Sequence, residues 1–153
     1  MMQPIADLTL QFPPYDYKLK KKDGKLYIFD PIAKKYRLLS PEEWVRQHCL
    51  QYITNHLQYP SGMIQIEGGI IVNQLQRRSD IQIFAKDGTV FMVIECKAPH
   101  VKLTEITWQQ ISQYQKQINS KYLVLTNGLE TKLLEIDLLH QKTNTLTHFP
   151  IYS

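Results

Sequence analysis

The hydrophobic pattern is clearest in the middle of the chain. "VFMVIECKAP", Val90 to Pro99, opens with five apolar residues in a row, which predicts a buried strand. Before it, "RRSDIQIF" alternates apolar and polar positions, and Asp87-Gly88 separates the two runs, a two-residue hairpin signal. "MIQIEGGIIVNQL" predicts another strand, with Gly68-Gly69 as a bulge or kink. "KYLVLTNG" is a further buried strand ending at a turn, and "LLEIDLLHQKTNTLTHFPIY" a last hairpin turning near Lys142 to Thr145. "KLKKKDGKLYIFD" reads as a turn at Asp23-Gly24 followed by a strand.

Helical periodicity marks two segments. "SPEEWVRQHCLQYITNHL" begins with Ser40 as cap, Pro41 in the first turn and Glu43 completing a capping box. Val45, Cys49, Tyr52, Ile53 and His56 form one face of that helix. A second helix is predicted from about Leu103 to Asn119. Residues 1–17 hold three of the eight prolines and are expected to form an irregular arm. With no repeat, linker or low-complexity tract, the expectation is a single α/β domain over 1–153.

Alternation along a strand puts Glu95 and Lys97 on one face and Cys96 on the other. If Lys86 pairs with Thr89, Ile83 faces Met92, Ile81 faces Ile94 and Asp80 faces Glu95. Opposed residues have β-carbons about 5 Å apart. Two bare carboxylates that close need a proton or a cation between them. An oxygen-rich site of this kind suits Mg²⁺ or Mn²⁺, with the Cys96 backbone carbonyl as a further ligand. Lys97 is then placed to orient or deprotonate a water, or to stabilise charge on phosphorus. The same residues also fit an Asp80 turn cap and an ordinary Glu95–Lys97 ion pair at a strand end.

Composition narrows the class without choosing a function. The 153 residues are 43% hydrophobic and 21% charged, enough to build a core. The net charge of +4 tolerates a polyanionic partner and does not demand one. Cys49 and Cys96 form no CxxC pair and no zinc spacing, which points to a reduced, cytoplasmic protein. No secretory signal and no apolar run of membrane-spanning length is present, so no membrane association is expected.

Taken together, "RRSDIQIFAKDGTVFMVIECKAP" resembles the core of PD-(D/E)xK nucleases, and "QQISQY" fits the QxxxY element of some members. "SPEEWVRQHCLQYI" and "YLVLTNG" are similar to the amino-terminal nuclease domain of type I restriction enzyme R subunits and its stand-alone relatives. The resemblance implies a restriction-endonuclease-like core, a central mixed β-sheet flanked by α-helices. It implies a Mg²⁺-dependent endodeoxyribonuclease with Asp80 and Glu95 as metal ligands and Lys97 as catalytic lysine. Glu43 becomes an accessory metal or water ligand, and Gln110 and Tyr114 lie near the site or the DNA backbone. Ser79 replaces the expected proline, and no GxxxxGK[ST] motor loop is present. The chain by itself is therefore not expected to translocate.

Competing roles stand beside these. The capping box explains Glu43 without chemistry, and Gln110 and Tyr114 fit the border of a buried helix face. Arg77 and Arg78 suit phosphate contacts or a solvated strand end. Lys18, Lys20, Lys21 and Lys22 suit phosphates or the protection of a sheet edge. Trp44 and Asn127-Gly128 read as core and turn. The expected partners are DNA and a second copy or other restriction subunits. The alternatives are a catalytically silent nucleic-acid- or partner-binding module and a structural subunit of a defence complex.

Overall fold

Ser40 accepts a hydrogen bond from the Glu43 amide at 3.0 Å, and with Pro41 in the first turn it starts helix α1, Pro41–Gln51. A π-helical turn, Tyr52–His56, continues it. The helix lies between two sheets in a computed structural model that describes residues 4–72, 75–104, 109, 119–137 and 139–153, with the backbone alone at 67–72 and 75–79. The smaller sheet is antiparallel: β1 (Leu19–Lys22), β2 (Lys25–Asp30) and β3 (Lys35–Leu38). The larger has the order β4 (Ile64–Val72), β5 (Leu75–Phe84), β6 (Val90–Cys96), β7 (Tyr122–Thr126), β8 (Thr131–Asp137) and β9 (Lys142–Leu146). Among the described strands only β6 and β7 run parallel, so this is the mixed central sheet that the sequence resemblance implies. Among the described residues, no helix is long and apolar enough to cross a membrane.

Two apolar clusters explain why α1 is covered on both sides. Val45, Cys49 and Ile53 pack with Ile81, Met92, Ile94 and Cys96 of the large sheet. Trp44 packs with Ile28 and Leu39 of the small one, and its indole N–H donates to the Leu8 carbonyl at 3.0 Å. His56, expected on the core face, is exposed, because the π-turn rotates it away from the helical stripe. The stretch 1–17 contains a short 3₁₀ turn, Ile5–Asp7, and no strand among its described residues.

The two Asp-Gly turns differ. At Asp23-Gly24, both residues have positive φ (52° and 76°) and Lys22 pairs with Lys25, a two-residue loop. At Asp87-Gly88, the expected Lys86–Thr89 pairing is replaced by Ala85 N–H donating to Thr89 O at 2.8 Å. The Asp87 carboxylate takes the Thr89 amide (2.9 Å) and hydroxyl (2.6 Å), which lengthens the loop to Lys86, Asp87 and Gly88. Phe84 then faces Val90 and Ile83 faces Met92, so Phe91 is an extra residue in β6. The longer loop and the bulge offset each other, and Ile81 still faces Ile94.

Two further expectations need correction. Pairing runs unshifted through Gly68 (opposite Ser79) and Gly69 (opposite Arg78), so they mark no bulge. The last hairpin does not turn at 142–145: those residues belong to β9, where Thr143 and Thr145 suit a strand. The Asp137 carboxylate accepts from the His140 amide at 3.1 Å, which sets the turn earlier.

Gly128 holds the amino-terminal arm. Its φ is +84°, its carbonyl accepts from the Gln11 amide at 2.7 Å, and a β-carbon there would come 2.7 Å from Leu10 Cδ2. Gly128→Ala is expected to cost about 1–2 kcal/mol through the left-handed backbone, to lower Tm and to expose the arm to protease. Gly62→Ala, with open space around its β-carbon, should do neither. Calorimetric melts and limited proteolysis of both variants check this.

Candidate functional site

Helix α1 is buried from Glu43 to Leu50, so its polar side chains must satisfy one another. Arg46 makes a bidentate pair with Glu43, with Nε donating to Oε2 at 2.9 Å and Nη2 donating to Oε1. Gln47 Nε2 donates to the same Glu43 oxygen at 2.9 Å. The other end of the Arg46 guanidinium reaches β5, with Nη1 3.7 Å from Asp80 Oδ1. The expected capping box is therefore only half made: Ser40 takes the Glu43 amide, while the Glu43 carboxylate turns inward to Arg46 and Gln47.

Asp80 sits just beyond the last paired position of the β5–β6 ladder, next to Ile81 opposite Ile94. Its Oδ2 accepts from the Cys96 amide at 2.7 Å, so a side chain takes a strand N–H beyond the paired residues. Asp80 and Glu95 are also hydrogen-bonded to each other, which requires one of them to hold a proton. Burial pushes the Glu95 carboxyl up to about 9; the Asp80 charge adds to this and Lys97 opposes it. Burial also raises Asp80, to about 6, against the pull of the Cys96 N–H and Arg46. Both titrate as one dyad. Glu42, on the first turn of α1, adds negative charge to both.

Lys97 is half-buried beside Glu95, and its amide donates to the Thr126 carbonyl of β7 at 2.8 Å. Asn127 fixes the chain beyond it. Its Nδ2 donates to the Val101 carbonyl at 2.8 Å, while its Oδ1 accepts from the amides of Leu129 (2.9 Å) and Glu130 (2.8 Å). What reads in the sequence as a turn is thus also a clamp between β7 and the segment that carries Lys97.

Asp80, Glu95 and Lys97 are brought together. Glu43 is tied to them through Arg46, with its carboxylate engaged by Arg46 and Gln47. The Cys96 thiol lies in the core against Cys49. On β5, Arg77 and Arg78 pair with Ile70 and Gly69 of β4, with their side chains outside the described residues, as are Gln110 and Tyr114 altogether. Arg46, Gln47 and Glu42 are additions that the sequence did not single out. The signal for them was the i, i+3 spacing of Glu43 and Arg46 on a helix whose apolar stripe already required burial.

Among the described residues, no three His, Cys, Asp or Glu side chains converge as a ready-made cation cage. The dyad alone offers two part-buried carboxylates held close enough to share a proton. That donor set fits Mg²⁺ or Mn²⁺, which take one or two carboxylates and keep their waters.

A raised carboxyl pKa makes a definite pH signature. The unfolded dyad ionises near pH 4, to within about half a unit, and the folded one in two steps, near about 6 and near about 9. The stability carried by the shared proton is therefore full below about pH 4 and declines progressively as pH climbs. Glu95→Gln is expected to gain in Tm over the wild type as pH goes from about 5 to about 9 in EDTA. Thermal melts across that range check it; a gap that widens toward acid instead would rule out the shared proton.

Residues 41–150 match the family model described as type I restriction enzyme R protein N terminus (HSDR_N). No curated protein matches the chain. One solved structure, a fragment described as a putative HsdR subunit of a type I restriction enzyme from Vibrio vulnificus YJ016, superposes with a TM-score of 0.46 at 20% identity over 69% of this chain. The match spans 23% of that longer chain. The protein belongs to the family of type I restriction enzyme R protein amino-terminal, nuclease-like domains.

Proposed function

We propose that this domain is a metal-dependent endonuclease that hydrolyses DNA phosphodiester bonds at Asp80, Glu95 and Lys97. The observation that carries the reading is the hydrogen-bonded Asp80–Glu95 dyad with Lys97 beside it. The dyad holds a proton where a divalent cation fits, and Asp80 and Glu95 would be the side chains that hold Mg²⁺ or Mn²⁺. Bound there, the cation supplies Lewis acidity and a bound water of lowered pKa. The chain's own groups do the rest. Lys97 orients the attacking water and offsets charge that grows on the phosphate oxygens. Arg46 keeps Asp80 in place and balances Glu43. Water adds to phosphorus, one P–O ester bond breaks, and the leaving oxygen takes a proton. Gln110, Tyr114, Arg77 and Arg78 are candidates for contacts along the DNA backbone, and the Cys96 carbonyl for a further metal ligand.

One such site cuts one strand, so cleavage of both strands calls for a second copy or a second visit. Association with other restriction subunits is in keeping with the family. The shared proton makes metal uptake pH-dependent, because cation binding must release it.

Titrating Mg²⁺ and Mn²⁺ by calorimetry, with nicking of supercoiled plasmid followed in parallel, tests the reading. Asp80→Ala and Glu95→Ala should each lose both metal binding and nicking. Lys97→Ala should keep metal binding and reduce nicking by about 100-fold or more.

A second reading has its own observation. Arg46 already lies 3.7 Å from Asp80, and with a shared proton it balances the dyad without any metal. On that reading, the domain is a catalytically silent binding module. Wild type that takes up no metal even with DNA present, and does not nick, favours it.

A further inference from the structure

The small sheet concentrates the charge of the molecule. Residues 18–37 contain eight of the 18 Lys and Arg and two of the 14 Asp and Glu, a net +6, so the remainder of the chain carries −2. One of those two acids, Asp30, is buried and paired with Arg37 at 2.7 Å. The segment also ends before residue 41, where the family match begins.

Strand alternation sorts its side chains. Leu19 and Ile28 oppose each other and face α1, with Ile28 fully buried under Trp44. The opposite face carries Lys20, Lys22 and Lys25 with Tyr27, Phe29 and Tyr36, set by the pairs Lys20–Tyr27, Lys22–Lys25 and Phe29–Tyr36. Tyr36 is 39% exposed and Leu38, paired with Tyr27, 51% exposed. Phe29 and Tyr36 meet edge to face at 5.3 Å. Lys18 lies over the Phe29 ring at 5.7 Å and Lys20 over Tyr36 at 5.6 Å. Between Lys20, Lys22, Asp23, Tyr27 and Tyr36 opens a cleft of about 290 Å³.

Lysines alone would be explained by protection of the exposed β1 edge. Edge protection gives no reason for aromatic rings on the same solvent face. Rings flanked by ammonium groups match a base lying beside its phosphate, and a duplex keeps its base faces covered. We infer that the outer face of the β1–β3 sheet, built by Lys20, Lys22, Tyr27 and Tyr36, is a docking platform for single-stranded DNA, separate from the Asp80–Glu95 dyad. The choice of DNA rests on the proposed nuclease activity; the platform's geometry does not.

Binding is measured on the full chain in EDTA, by fluorescence anisotropy of a labelled oligothymidylate of about 20 nucleotides, so no cleavage is needed. The same labelled strand in a duplex is the comparison. Single strand should bind several-fold more tightly than duplex. Tyr36→Ala and Tyr27→Ala should each weaken it about fivefold or more, and Tyr36→Phe should retain wild-type affinity. K20Q/K22Q should weaken binding and flatten the log–log salt dependence by about 0.7 for each phosphate no longer neutralised. K142Q, on β9, is the charge control and should change little. The inference is overturned if duplex binds as well as single strand, if the tyrosine variants bind like wild type, or if K142Q weakens binding as much as K20Q/K22Q. Should a tyrosine variant fail to fold, the exposed lysine pair decides alone: wild-type affinity in K20Q/K22Q overturns the platform. Loss of nicking with oligonucleotide binding intact would count against the nuclease reading only.

Discussion

Between β5 and β6, the pairing of Ile81 with Ile94 fixes which side chains enter the core and which reach the site. A slip of one residue would turn Ile81, Ile83, Met92 and Ile94 out of the cluster they share with α1 and put polar groups in their place. The apolar core therefore enforces the register, and Asp80 and Glu95 inherit it. Their proximity is unfavourable taken alone, because burial and mutual repulsion both raise the cost of ionising them. The packing around them is large enough to hold that arrangement. The bulge at Phe91 belongs to the same constraint, since without it the three-residue loop would set the strands one step out.

Helix α1 adds the second half of the electrostatics. A helix buried between two sheets can keep charged residues only if they are paired and hydrogen-bonded. Arg46 meets that requirement by binding Glu43 in two places and extending to Asp80. Removing Arg46 would leave two carboxylates without their counter-ion, so its role in the fold and its role at the dyad cannot be separated by simple truncation. The raised pKa of the dyad persists despite this cation because desolvation outweighs it.

Much of this is legible in the chain before any coordinates. The cap at Ser40, the buried strands and the Asp80–Glu95–Lys97 neighbourhood follow from spacing and alternation, because each depends on local chemistry or on a period of two. The turn at Asp87-Gly88 departs from expectation for a local reason too: Asp87 uses its side chain on Thr89, and the dipeptide alone does not show that. The bulge is invisible in the sequence because Phe91 and Met92 are both apolar, so either could face the core. β3 escapes notice because "KYRL" is short and charged, and it becomes a strand only beside β2. Arg46 gives little sign of its role because its partners come from Glu43 on its own helix and from Asp80, 34 positions further along the sequence. Gln110 and Tyr114 lie outside the described residues.

The clamp at Asn127 reaches further than its place in a turn suggests. β6 and β7 are parallel, so the chain must leave β6 at Lys97 and cross over before it returns as β7. The lysine is thus the first residue of a crossover, tied by its amide to Thr126 and braced by Asn127 at Val101. Asp80 belongs to a hairpin and Lys97 to a connection, so two independent pieces of the fold meet at the dyad. A small change in how β7 and β8 close around Asn127 would shift the lysine together with Glu95, which faces Leu125 of β7. The lysine and Glu95 therefore share one anchor in β7, and Asp80 stands a strand further away.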